Sequence, residues 1–123
     1  MSHKQAATEF LKLASAGDVQ AAYERFIAPD FVHHNAFFKG DRQSLMNAMA
    51  EASRTHPNRT IEIRHVWEDG DTVITHSLVT REQSNDPQIA VVHIFRFAND
   101  RVVELWDLGQ AIDPHSPNEN GMF

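Results

Sequence analysis

At Thr60 the spacing of apolar residues changes, and no fold built from one type of element accommodates both halves. Before that point they recur at helical intervals. In "KQAATEFLKLASAG", Ala6, Phe10, Leu13 and Ala14 share a stripe that Gly17 brings to an end. Asp18 is placed to cap a second helix, "VQAAYERFIA", with Val19, Ala22 and Phe26 on one side and Pro29 as its limit. A short strand at Phe31–His34 and a turn in "FFKGD" follow. Asp41 can then cap a third helix, "RQSLMNAMAEASRTH", with Leu45, Met49 and Ala52 on its apolar face and Pro57-Asn58 beyond it. After Thr60 the period is two. "TIEIRHVW" alternates Ile61, Ile63, His65 and Trp67 with Glu62, Arg64 and Val66. The turn "EDGD" leads into "TVITHSLVT", the turn "SNDP" into "QIAVVHIFRF", and the tight connection "ANDR" into "VVELWDLGQ". Helices followed by an antiparallel meander predict an α+β domain, with the helices on one face of a curved sheet.

The chain of 123 residues has the length of one domain, and no repeat or linker divides residues 1–123. A formal charge of −6 argues against a nucleic-acid partner, because phosphate binding needs clustered Lys and Arg. No apolar run reaches the roughly 18 residues of a membrane span, and "MSHKQAATEF" lacks the apolar core of a secretory signal. The absence of cysteine removes disulfides, thiolate metal sites and a Cys nucleophile, and fits a cytoplasmic protein. Glycine-rich phosphate loops and the "GxSxG" nucleophile motif are missing as well. Eight histidines are the unusual figure, and they direct attention to acid–base chemistry.

Adjacent strand residues face opposite ways, so only one of His33 and His34 can enter a pocket. In "VVHIFRF", His93 shares a face with Phe95 and Phe97, while Ile94 and Arg96 take the other. Asp107 lies between Trp106 and Leu108, and burying such a carboxylate is costly unless it is paired or hydrogen-bonded. An odd number of residues in the connecting loop would put His93 and Asp107 on one face, and an even number would separate them. Together they would couple, with the carboxylate raising the imidazole pKa and fixing its tautomer. His76 shares a face with Ile74 and Leu78, as a pocket-wall residue with a polar tip. His34, His76, His93 and Asp107 are suitable ligand types for zinc or iron. Their spacing matches no local metal signature, however, and neither a metal nor another cofactor is expected.

The stretches "HHNAFFKG", "DGDTVITH" at 69–76, "HIFRF" at 93–97, "VVELWDLGQ" at 102–110 and "NENGMF" span nearly the whole chain. In combination they resemble the SnoaL-like, polyketide cyclase-like proteins of the NTF2-like superfamily. The resemblance implies a cone: three N-terminal helices packed on a strongly curved antiparallel sheet that encloses a pocket. It puts His34 where the family's ketosteroid isomerases hold their general base. It also puts His93 where many relatives have an aspartate, so the isomerase mechanism does not transfer unchanged. It implies Asp107 on the pocket side as the acid/base group, with His34 or His93 at the developing enolate. Phe10, Phe26, Asn35, Phe37, His76, Phe95 and Trp106 are the expected ligand-binding residues. A homodimer through the sheet is implied too, as is a tail that folds over the pocket mouth or onto a partner subunit. The expected activity is cofactor-independent acid–base chemistry (aldol-type cyclisation, isomerisation or hydration) on a small hydrophobic carbonyl compound. The alternative is a non-catalytic domain that binds such a molecule.

Overall fold

The computed structural model describes residues 1–81 and 86–123. Helix α1 (His3–Ser15) begins in a capping box, in which the Ser2 hydroxyl accepts from Gln5 N–H and the Gln5 side chain accepts from Ser2 N–H. Gly17, at φ 97°, follows its end and turns the chain into α2 (Val19–Phe26). The second helix stops earlier than its apolar pattern suggests. From Ile27 the backbone pairs in parallel with strand β5, making β1 (Ile27–His33) longer than the strand read from sequence. Pro29 is tolerated inside β1 because that strand lies at the sheet edge. Asp41 caps α3 (Arg42–Thr55) as its position predicts, accepting from Ser44 N–H at 3.2 Å.

Four antiparallel strands complete the sheet: β2 (Thr60–Asp69), β3 (Thr72–Thr80), β4 (Ile89–Ala98) and β5 (Arg101–Ala111). The order is β1-β5-β4-β3-β2, so the parallel edge strand makes the curled sheet mixed and not wholly antiparallel. The turn read at "SNDP" begins at Ser84 and Asn85, which lie outside the described residues.

Two bulges decide which side chains face the helices. In β2 the pairing slips between Ile63 and His65. As a result Ile61, Ile63 and Val66 pack on the core, while His65 and Trp67 face outward, contrary to strict alternation. In the β4–β5 hairpin the loop is the two-residue Asn99-Asp100, with φ of 50° and 65° as a tight hairpin turn needs. That even loop would place Trp106 opposite His93. An extra residue, Val103, restores the face, because the register slips between Arg96 and Phe97 and sets His93 directly opposite Asp107.

The core lies between α1, α2 and the inner sheet face. Phe10 meets Tyr23 and Phe95 edge to face, at centroid distances of 5.6 and 6.1 Å, and Leu45 and Leu105 are also fully buried. Among the described residues, no helix is long and apolar enough to cross a membrane.

Candidate functional site

Where α3 leans away from the sheet, two adjoining cavities of about 480 and 180 Å³ share Met49, Arg59, Val79 and Asp107 as walls. Their combined size suits a small organic ligand. Leu45 and Met49 on α3 and Val79 and Ile89 on the sheet make the larger one apolar. At its inner end the sheet is polar. Thr75, His93 and Asp107 lie side by side across β3, β4 and β5.

Asp107 reaches the cavity with its side chain 19% exposed. Its Oδ2 accepts from Asn35 Nδ2 at 2.9 Å, and its Oδ1 lies 3.6 Å from His93 Nε2. Asn35 is itself fixed, because its Oδ1 accepts from Phe37 N–H at 3.0 Å. His93 borders the smaller cavity. Burial lowers its pKa, and the attraction of Asp107, which acts in the opposite sense, does not make up for it. The expected rise in its pKa is therefore reversed: desolvation outweighs the carboxylate, and the imidazole is neutral at neutral pH. Among the described residues, its Nδ1 is buried with no hydrogen-bond partner, as are the hydroxyls of Thr75 and Ser77 on the same sheet face. Tyr23, the sole tyrosine, has its pKa raised by burial, with Asp107 adding to the effect. Its hydroxyl meets the Met49 thioether at 3.4 Å.

His34 is outside this site. The inward position belongs to His33, whose Nε2 donates to Lys39 C=O at 2.7 Å while its Nδ1 accepts from Asn35 N–H. Both ring nitrogens are thereby used to hold the following loop. His34, one residue on, points to the outer sheet face. There it stacks on Trp106 and contacts Glu104 Oε2 at 2.6 Å, and Arg96 binds the other oxygen of that carboxylate. Trp106 is thus an outer-face residue too. So is His76, which lies between His65 and Phe123 in a row of stacked rings. Phe10, Phe26 and Phe95 fill the core rather than border the cavity, and Phe37 is 88% exposed while its neighbour Phe38 takes the cavity wall. The four residues of metal-ligand type do not converge, since His34 and His76 lie on the face opposite His93 and Asp107.

Sequence reading missed Tyr23, Arg59 and Arg81. Tyr23 could have been found, since it adjoins Ala22 on the same stripe of α2 as Val19 and Phe26. Arg59 and Arg81 stand in polar stretches at strand ends, where nothing distinguishes them from solvated turn residues.

The tail, read as a cover for the pocket mouth or a partner, lies on the outer sheet face of its own chain. Phe123 stacks on His76 at 4.5 Å beneath the Arg64 guanidinium.

A family model described as SnoaL-like domain matches residues 7–105. No match is found among curated proteins. Among solved structures, IdmH of Streptomyces antibioticus, provisionally described as a polyketide cyclase, superposes with TM-score 0.76 at 18% identity. The alignment covers 89% of this chain and 93% of that one. A protein of Acidithiobacillus ferrooxidans with the same provisional description gives TM-score 0.74 at 19% identity, over 89% of this chain and 92% of that one. AclR of Streptomyces galilaeus, provisionally described as a hydroxylase, gives 0.75 at 18% identity, over 88% of each. At such identities these likenesses establish the fold, a three-helix, curled-sheet architecture shared by proteins of differing description. With the family match extending over most of its length, the chain belongs to the SnoaL-like family of NTF2-like proteins.

Proposed function

We propose that the chain is an enzyme of cofactor-independent acid–base chemistry on a small hydrophobic carbonyl compound. The observation that carries this reading is Asp107: a carboxylate in a largely apolar cavity, oriented by Asn35 and set against a neutral histidine. Asp107 takes a proton from the carbon next to the carbonyl. Charge then develops on the carbonyl oxygen, and His93 answers it. In the tautomer protonated at Nε2, the nitrogen that faces Asp107 Oδ1 at 3.6 Å, its N–H donates to that oxygen beside the carboxylate. The proton on Asp107 returns to another carbon in an isomerisation, or to the alkoxide that forms when the enolate attacks a second carbonyl. A neutral donor suits this role, because its proton is shared with the oxygen and never has to be surrendered.

Deuterium incorporation next to the carbonyl of a panel of methyl and cyclic ketones, followed by NMR, tests the chemistry. Wild type is expected to catalyse exchange, and Asp107→Asn to slow it by about a hundredfold or more while melting normally. Exchange that persists unchanged in the variant removes Asp107 from the reaction. Ligand binding without any exchange would instead make the domain a binder.

The outer sheet face supports a second proposal, a homodimer. Trp67 and Leu108 are 53% and 57% exposed there, beside Val92 and Ile94, and an apolar face of this kind gains from a partner.

A further inference from the structure

The cavity has two chemically distinct ends. Thr60 pairs with Thr80, so Arg59 and Arg81 flank the same end of the β2–β3 ladder, and both border the larger cavity. The His93–Asp107 pair lies further along the sheet. Ile89, which pairs with Val79 two residues before Arg81, is four residues from His93 on β4, a separation of about 13 Å at the usual rise of a strand. Arg59 reaches between the two ends, since it also borders the smaller cavity with His93 and Asp107.

These two arginines differ from most others in the chain. Arg25, Arg54, Arg64 and Arg96 each meet a carboxylate. Among the described residues, neither Arg59 nor Arg81 does. Arg59 spends one nitrogen on structure, Nη2, which lies 3.2 Å from Ser53 Oγ and 3.4 Å from Ala14 C=O. Its Nε is buried without an acceptor among the described residues. Burial and the neighbouring Arg81 both disfavour its charge, and a bound anion would offset both. Two carboxylates border the same cavity: Glu51 is engaged by Arg54, and Asp107 is held by Asn35 and His93. His56 stands nearby, with its Nδ1 against the Thr55 hydroxyl.

We propose that Arg59 and Arg81 form an anion-binding end of this cavity, and that its substrate is a hydrophobic carbonyl compound bearing a carboxylate remote from the reacting carbon. The assignment of the reacting carbon rests on the acid–base reading above; the anion end does not. A guanidinium suits a carboxylate because its planar donors can meet both oxygens. Anchored at the arginines, the molecule spans the apolar middle and presents its carbonyl to His93 and Asp107. The acid end would then fix which carbonyl of a larger substrate reaches the reactive pair.

An acetylnaphthoate, with an acetyl group and a carboxylate on opposite rings, has this form. Its binding and that of its methyl ester to the full chain are compared by NMR titration, with deuterium entry into the acetyl group read in the same samples. The acid is expected to bind about tenfold more tightly than the ester, as one charge-assisted contact allows. The preference should vanish in Arg81→Gln and persist in Arg59→Lys. Arg59→Gln also removes the bonds to Ala14 and Ser53, so Arg81→Gln decides the matter if that variant fails to fold. Equal affinity for acid and ester overturns the proposal. So does an acid preference untouched by Arg81→Gln, or no binding of the acid at millimolar concentration. A preference for the acid without deuterium entry supports the anion end and counts against the acid–base reading. Deuterium entry without the preference has the reverse meaning.

Discussion

His93 holds its neutral form because the helices and sheet exclude the water that would solvate its charge. Stability depends on pH as a result. Unfolded, the imidazole takes up a proton near its ordinary pKa of about 6.5; folded, it does so only at lower pH. Its contribution is therefore fully present above about pH 6.5 and is lost as pH falls toward the depressed folded value. Urea unfolding should show wild type weakening as pH falls from about 6.5 to about 5.5, with a shallower loss in His93→Asn. Equal slopes in the two proteins would show that another group governs the range. Glu104, lowered by His34 and then by Arg96, acts in the same direction, but in the more acidic range where carboxylates titrate. At this scale Asp107 was legible in the sequence, because a carboxylate in an apolar strand is too costly to bury without a partner or a task. The assignment of His34 was not. Alternation says that one of two adjacent histidines turns inward, but which one follows from the pairing of His33 with Leu105.

Helix α3 is the element on which the cavity depends, since Leu45, Ala48, Met49 and Ala52 all border it. Its first turn is held by Asp41, and Asp41→Ala should cost about 1 kcal/mol, as loss of an N-cap does. The measurement is a shift of the urea midpoint at unchanged slope. No shift would mean that the first turn of α3 contributes nothing to the global fold. The cap could be read from sequence because it is local, with donor and acceptor three residues apart. The end of α2 could not, since Ile27 leaves the helix to pair with Val102, 75 residues away by their numbering. The two bulges escaped detection for a similar reason. An extra residue in a strand has no composition of its own; Arg64 and Val103 are ordinary strand residues.

For the whole molecule, the two sheet faces have separate roles. The inner face makes the core and the cavity, while the outer one carries the rings of Trp67, His65, His76 and Phe123 in a stacked row. A homodimer through that face should sediment as a dimer, and Trp67→Glu should shift it to monomer, because a charge at an interface centre must be desolvated without a partner. A wild-type protein that sediments as a monomer at high concentration would overturn the dimer. The terminal Met122-Phe123 lies on the same side, so a partner would have to accommodate the tail.

From the sequence alone came the division into helices and strands, the family, the cap of α3 and the carboxylate at 107, all matters of period, local bonding or recognisable motif. Tertiary structure decided the rest. It chose His33 over His34 for the interior, sent His76, Trp106 and the tail to the outer face, and set His93 opposite Asp107 despite an even loop. It also brought Arg59 and Arg81 to one end of a cavity. Each of these depends on register between strands distant in sequence, and a one-residue slip moves a side chain to the other face of the sheet. Period fixes which residues share a face within an unbroken strand. Only the pairing determines which face encloses the cavity.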